Sequence, residues 1–285
     1  MISTEIGSIV KHMSYEKAVE AVALAGFDGF DLSIFDMAKI NWSDRTVSHT
    51  SYPSDRNECI NFVKRLRKIA EDNGIVCNQA HAPFPTDHPD IIGYLPRALE
   101  CAAAAGASVC IVHPMNNGTT RQNTVFFESL LPYAKEYGIK IASENMWNWG
   151  KNEKHALPAS CATPESFNDL IRSVNSPYLV ACLDIGHAEM KGIGTSAVEM
   201  IRALGSNLQA LHIHDNDKWH DSHAIPFSMD IDFELIAAAL KSANYSGWYT
   251  LEADSYLSGC KTEDETISGI KKLAEAARRF EALCK

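Results

Sequence analysis

A chain of 285 residues with 46% hydrophobic residues is long enough to bury one large core, and its net charge of −10 disfavours a nucleic-acid backbone as partner. Affinity for such a backbone rests largely on Lys and Arg neutralising phosphates. No apolar run approaches the roughly 18 to 20 residues of a membrane span, and MISTEIGSIVKHMSYEK lacks a basic leader followed by a long apolar stretch. A soluble cytoplasmic protein is expected, with no membrane partner. The eight cysteines are scattered without CxxC spacing and read as reduced, buried small apolar residues.

Short apolar runs alternate with longer amphipathic stretches from end to end, and nothing between Met1 and Lys285 resembles a linker. Ser3 to Val10 reads as the first strand, followed by a helix over Tyr15 to Ala25 and a stop at Gly26. Phe27 to Ser33 is the second strand, ahead of a polar and aromatic loop from about Ile34 to Arg56. A helix over Asn57 to Asn73 ends at Gly74, a residue suited to the left-handed conformation after a helix, and leads into the third strand, Ile75 to His81. The punctuation repeats. Helix Ile91 to Ala105 precedes strand four, Ser108 to His113, and helix Thr124 to Tyr137 precedes strand five, Ile139 to Glu144.

After a second long loop, Thr163-Pro164-Glu165 has the form of a helix start, with Thr as cap and Pro in the first turn. Strand six is Tyr178 to Asp184; a helix from about Ser196 to Leu204 precedes strand seven, Leu208 to His214. The loop Asp215 to Asp230 and helix Phe233 to Ala243 precede strand eight, Gly247 to Glu252, and helix Glu263 to Leu283 closes the chain. Eight strand–helix pairs predict a parallel sheet closed into a single-domain (β/α)8 TIM barrel over residues 1–285. An open doubly wound sheet would want a Gly-rich phosphate turn after an early strand, and no GxGxxG occurs.

In such barrels chemistry gathers at the carboxyl ends of the strands, and the polar residues of this chain lie there. His81 ends strand three, His113 strand four, Glu144 strand five and Asp184 strand six, with His187 three residues on; His212 lies in strand seven and Glu252 ends strand eight. A buried ionised carboxylate is too costly to leave uncompensated, so Glu144, Asp184, His212 and Glu252 converging on one mouth call for a cation among them. Three carboxylates and an imidazole suit one divalent ion such as Mn²⁺, Mg²⁺, Co²⁺ or Zn²⁺ rather than a thiolate-seeking ion.

The segments IASEN, CLDIGHA, LHIHDND, IPFSMDIDF and GWYTLEAD resemble the sugar isomerase and epimerase superfamily with xylose-isomerase-like barrels, which includes apurinic-site endonucleases of the endonuclease-four type. The resemblance implies that Glu144, Asp184, His212 and Glu252 bind one divalent ion. It also implies that Glu144 and Glu252 double as the catalytic acid–base pair, with His187 contacting substrate. A proton then moves between neighbouring carbons of a ketose or aldose through a metal-stabilised enediolate. The same resemblance offers two accessory positions, for substrate or for additional zinc: Asp221 and His223 with His187, and His81 and His113 with Glu144. Trp42, Trp147 and Trp219, like Phe35 and Trp149, fall in loops at the carboxyl face, where aromatic rings can stack on a sugar. The expected partner is a small sugar or polyol, with a homo-oligomer left open. The alternatives are a zinc hydrolase or lyase using two or three metals and a noncatalytic carbohydrate-binding barrel; dehydratases of inositol-like ketones share the ligand pattern.

Overall fold

The computed structural model describes residues 1–285 except Trp42, His49, Ser51 and Ser54. Eight strands form the central sheet: β1 (Ile2–Glu5), β2 (Gly29–Ser33), β3 (Val76–His81), β4 (Val109–Ile111), β5 (Lys140–Glu144), β6 (Leu179–Asp184), β7 (Leu208–His212) and β8 (Tyr249–Leu251). All neighbours pair in parallel, in chain order from β1 to β7, with β8 against β1 through Ile2↔Tyr249, Ser3↔Thr250 and Thr4↔Leu251. A parallel bridge between Ile213 and Leu251 joins the two ends. The sheet therefore closes into the barrel that the alternation predicts.

Eight longer helices surround it: α1 (Tyr15–Leu24), α2 (Arg56–Asp72), α3 (Pro89–Ala105), α4 (Thr120–Tyr137), α5 (Pro164–Val174), α6 (Ala197–Leu204), α7 (Phe233–Ser242) and α8 (Glu263–Cys284). Their starts are set by side chains that satisfy the unpaired N–H groups of a first turn. Thr163 and Thr119 form capping boxes with Ser166 and Gln122, and Asp55 accepts from both Asn57 N and Glu58 N. Gly106 ends α3 at φ +95°, a left-handed conformation that a Cβ would resist. No helix among the described residues is long and apolar enough to cross a membrane.

Two expectations need correction. The first strand stops at Glu5 rather than continuing to Val10, because the Glu5 carboxylate accepts from Ser8 N at 2.9 Å and from the Ser8 hydroxyl, turning the chain into a 3-10 turn over Ile9–Lys11. The two long loops are not featureless: each carries a small antiparallel hairpin, Lys39–Ile40 with Val47–Ser48 and Trp147–Gly150 with His155–Pro158. Trp42 lies outside the described residues.

The main core fills the space between sheet and helices, where Phe30, Phe127, Phe167, Phe233 and Phe280 are among the largest fully buried side chains. The barrel interior is divided. On the β4 to β7 side it is apolar, with Val109, Ile111, Ala142, Val180, Cys182 and Ala210 in one cluster. On the β8 to β3 side it is polar, with Ser3, Asp31, Asn78, Gln79 and Thr250 buried and hydrogen-bonded to one another. Because the polar mouth is built on strand ends and the outer core on helices, the two are separable by mutation. Phe280, fully buried against Phe233 and Tyr249, tests this. Phe280→Ala is expected to cost about 3–5 kcal/mol in urea unfolding while leaving divalent-ion affinity of the folded protein unchanged.

Candidate metal centre and its histidine neighbours

Strand ends place the quartet. Glu144 is the last residue of β5, Asp184 of β6 and His212 of β7, and Glu252 follows β8 directly. One ligand atom from each of Glu144, Asp184, His212 and Glu252 lies within 4.8 Å of all the others. His212 Nδ1 stands 3.2 Å from Glu144 Oε2 and 3.2 Å from Glu252 Oε2. Glu144, Asp184 and His212 are buried, and Glu252 is partly so at 13% side-chain exposure.

The donor set fits a cation on an observation independent of its residue types. Glu144 Oε2, Asp184 Oδ2 and His212 Nδ1 are buried without a hydrogen-bond partner. Leaving such atoms unpaired is costly, and three from separate strands aimed into one space share one remedy, a positive ion. The Cys182 thiol lies beside Glu144 and His212, and without an ion burial pushes its pKa up to about 12.

Without the ion, the carboxylates and imidazole divide protons among themselves. Burial opposes the imidazolium of His212, yet Cys182, Glu252 and Glu144 beside it carry its pKa well above the ordinary value. Burial likewise keeps Glu252 protonated, its pKa well above the carboxylate range, whereas His212 and His113 overcome burial and hold Glu144 well below. The same space thus drives two glutamates in opposite directions.

A second cluster, of His187, His214, Asp221 and His223, adjoins the first through Asp184. Asp184 Oδ1 accepts from His187 N at 2.7 Å and faces His214 Nε2 at 3.1 Å. Asp221 Oδ2 lies 3.3 Å from His187 Nε2 and 3.2 Å from His223 Nε2, and the rings of His214 and His223 stack at 4.0 Å. Burial disfavours the charged imidazole of His187, but Asp184, Asp221 and Glu144 lift its pKa to about 10. On the opposite flank His81 and His113 meet at 2.8 Å between ring nitrogens, and His113 Nε2 stands 3.5 Å from Glu144 Oε2. His81, His113 and Glu144 form a third group of ligand atoms sharing Glu144 with the quartet. Burial and two imidazole neighbours hold His81 well below its ordinary pKa, so it is a neutral ring.

The structure thus brings together Glu144, Asp184, His212, Glu252, His81, His113, His187, Asp221 and His223. Trp147 joins them, donating from Nε1 to Asp221 Oδ2 at 3.3 Å with its ring edge to His187. Trp219 instead lies at the surface, 43% exposed, with the ammonium of Lys191 4.3 Å from its ring centroid.

Three residues escaped the sequence reading. His214 sits two residues beyond His212 and on the same side of the chain, so the alternation in HIHD was the signal. Asn145, inside IASEN, locks β5 to β6: it accepts from Asp184 N at 2.8 Å, donates to Asp184 O at 2.9 Å, and its carbonyl meets His187 Nδ1 at 2.9 Å. Asp31, in β2, faces His212 Nε2 at 3.5 Å, and only its place inside an apolar run marked it.

The chain belongs to the family of xylose isomerase-like TIM barrels, whose description it matches over residues 19–280. More particularly, it is 28% identical over 269 residues to an uncharacterised protein of Methanocaldococcus jannaschii, covering 88% of this chain and 83% of that one. Its fold matches a D-tagatose 3-epimerase-like protein with a TM-score of 0.72 at 20% identity, over 100% of this chain and 98% of the other. It equally matches the IolI protein with a bound zinc atom, with a TM-score of 0.72 at 16% identity, over 98% and 99%.

Two outcomes test the geometry. A divalent ion entering the quartet must displace protons from His212 and Glu252, both held above their ordinary pKa values, so affinity should rise with pH and binding should release protons. Calorimetric titration in buffers of different ionisation enthalpy measures the release; none at neutral pH would contradict the assignment. A Cβ added at Gly186 would stand 2.0 Å from His214 Cε1. Gly186→Ala should therefore push His214 off Asp184 and destabilise the fold by about 1–3 kcal/mol in thermal or urea unfolding.

Proposed function

We propose that the protein is a divalent-metal-dependent isomerase or epimerase of a sugar or sugar derivative, with Glu144 and Glu252 as its acid–base pair. The observation that carries this reading is the two glutamates brought from separate strand ends to one atom, His212 Nδ1, each 3.2 Å away. When bound, a divalent ion in the quartet would polarise the substrate's carbonyl and stabilise negative charge on its oxygen.

The chain's own groups do the rest. One glutamate, ionised, takes the proton from the carbon next to the carbonyl; the other delivers a proton to the opposite face or to the neighbouring carbon. His187, charged and held by the Asn145 carbonyl, donates to a substrate oxygen. Trp147 packs edge-on to His187 on that side. The rest of the substrate has room in an adjoining cavity of about 350 Å³ lined by Glu5, Ser8, Tyr15, Phe35 and Asp254. This cavity borders both flanks, since Phe35 packs edge-on against His81 and Asp254 lies 3.3 Å from His223. Its wall carries both signs of charge, Asp36 and Asp254 with Lys11 and Lys39.

A second reading, a hydrolase or lyase using several zinc ions, is supported by the histidine clusters flanking the quartet on both sides. Metal stoichiometry separates the two: one ion per chain supports proton transfer, whereas three zinc ions support hydrolysis. The proposal itself predicts that ketoses or aldoses incubated with metal-loaded protein in D₂O exchange a carbon-bound hydrogen. Glu252→Gln and Glu144→Gln should each reduce that exchange by at least 10²-fold. A screen of sugars and polyol ketones showing no exchange by the parent protein would contradict it.

A further inference from the structure

We infer that Asp31 is a positioning residue for the cation ligand His212, and that a directed chain of hydrogen bonds through the barrel interior holds it in place. The inference rests on the quartet reading above and adds a residue to it. His212 has two ring nitrogens with separate tasks: Nδ1 faces Glu144 and Glu252, while Nε2 points inward, buried and without a hydrogen-bond partner. Asp31 Oδ2 faces that nitrogen at 3.5 Å, roughly half an ångström longer than an ideal N–H···O bond. A ligating imidazole needs its far N–H directed at an acceptor, because this fixes the tautomer, aims the lone pair at the metal and raises the basicity of the ligand.

Asp31 is itself held. Gln79 Nε2 donates to Asp31 Oδ2 at 2.8 Å, and Asp31 and Gln79 are register partners across β2 and β3. Gln79 Oε1 accepts from the Thr250 hydroxyl at 3.1 Å, and the Thr250 oxygen accepts from Ser3 Oγ at 2.8 Å and Asn78 Nδ2 at 3.1 Å. The donors all point one way. Thr250 has one proton and gives it to Gln79, which obliges Gln79 to present its amide N–H to Asp31, leaving the carboxylate to accept from His212. Thr250 also lies two residues before Glu252 on β8, so the network ties two ligand-bearing strand ends to β1, β2 and β3.

An apolar interior would have sufficed for folding, as the β4 to β7 half shows with its Val109, Ile111, Ala142 and Val180. Buried polar networks carry a desolvation cost that apolar packing avoids. Here the polar half lies beneath His212 and ends on it. Asp31 is 1% exposed and lacks a cationic Lys or Arg partner among the contacts of the described residues; the one ionisable nitrogen facing it is His212 Nε2.

The test reads metal affinity and imidazole state rather than turnover. Parent, Asp31→Ala and Asp31→Asn proteins are titrated with Co²⁺ and Zn²⁺ against a chromophoric chelator, and the visible spectrum of the Co²⁺ form is recorded. Asp31→Ala should weaken binding by about 10–100-fold and alter the Co²⁺ spectrum, with Asp31→Asn, which keeps an acceptor oxygen, recovering part of the loss. On the zinc-loaded parent, ¹⁵N–¹H spectra should show His212 as the Nε2–H tautomer, a measurement that needs no variant to fold. Equal affinity in Asp31→Ala and parent, or a His212 that binds zinc through Nε2, overturns the inference. A parent protein that binds no divalent ion overturns the quartet reading and this one together.

Discussion

Three carboxylates and an imidazole, dehydrated and crowded within 4.8 Å at one end of a closed barrel, set the terms for the rest of this molecule. Their mutual repulsion and lost hydration must be offset, and the described groups offer two means: protons on His212 and Glu252, or a divalent cation. A cation would also satisfy the orphaned oxygens of Glu144 and Asp184. The surrounding arrangement serves that requirement. Asn145 locks β5 to β6, so that Glu144 and Asp184 cannot splay, and the Ile213–Leu251 bridge holds the ends of β7 and β8 in register beneath His212 and Glu252.

The two histidine clusters extend the centre without merging into it. One shares Glu144 and the other touches it through Asp184, so each carboxylate of the quartet faces more than one imidazole. Under the proposed function, that sharing would let a single cation bind with neighbours placed to hold substrate oxygens, and it also gives the multi-zinc alternative its physical basis. The flanks differ in charge: against burial, His187 is driven toward the imidazolium by Asp184 and Asp221 and His223 by Asp221, whereas burial keeps His81 neutral. A charged flank facing a neutral, aromatic one suits a small asymmetric substrate that presents oxygens on one side and C–H groups on the other.

Much of this was legible in the chain because it rests on local signals. Periodicity and glycine stops gave all eight strands, and the polar residue closing an apolar run gave each quartet member, since burial at a strand end is itself a sequence pattern. What stayed hidden depends on tertiary pairing. The first strand looked longer than it is because nothing local shows that Glu5 will reach forward to Ser8. Asp31 read as one acid in an apolar run until barrel closure brought it opposite His212, 181 positions later in the sequence. The alternation in HIHD marked His214, but its contact with Asp184 also depends on the space that Gly186, in the short helix after β6, leaves beside it.

The central claim is that Glu144, Asp184, His212 and Glu252 hold one cation together. Anomalous scattering from a crystal of the protein loaded with Mn²⁺ or Zn²⁺ tests it most directly. The account predicts a strong anomalous peak within about 2.0–2.3 Å of a ligand atom from each of the four residues. A peak touching none of them, or no peak in the barrel mouth at saturating metal, would contradict it.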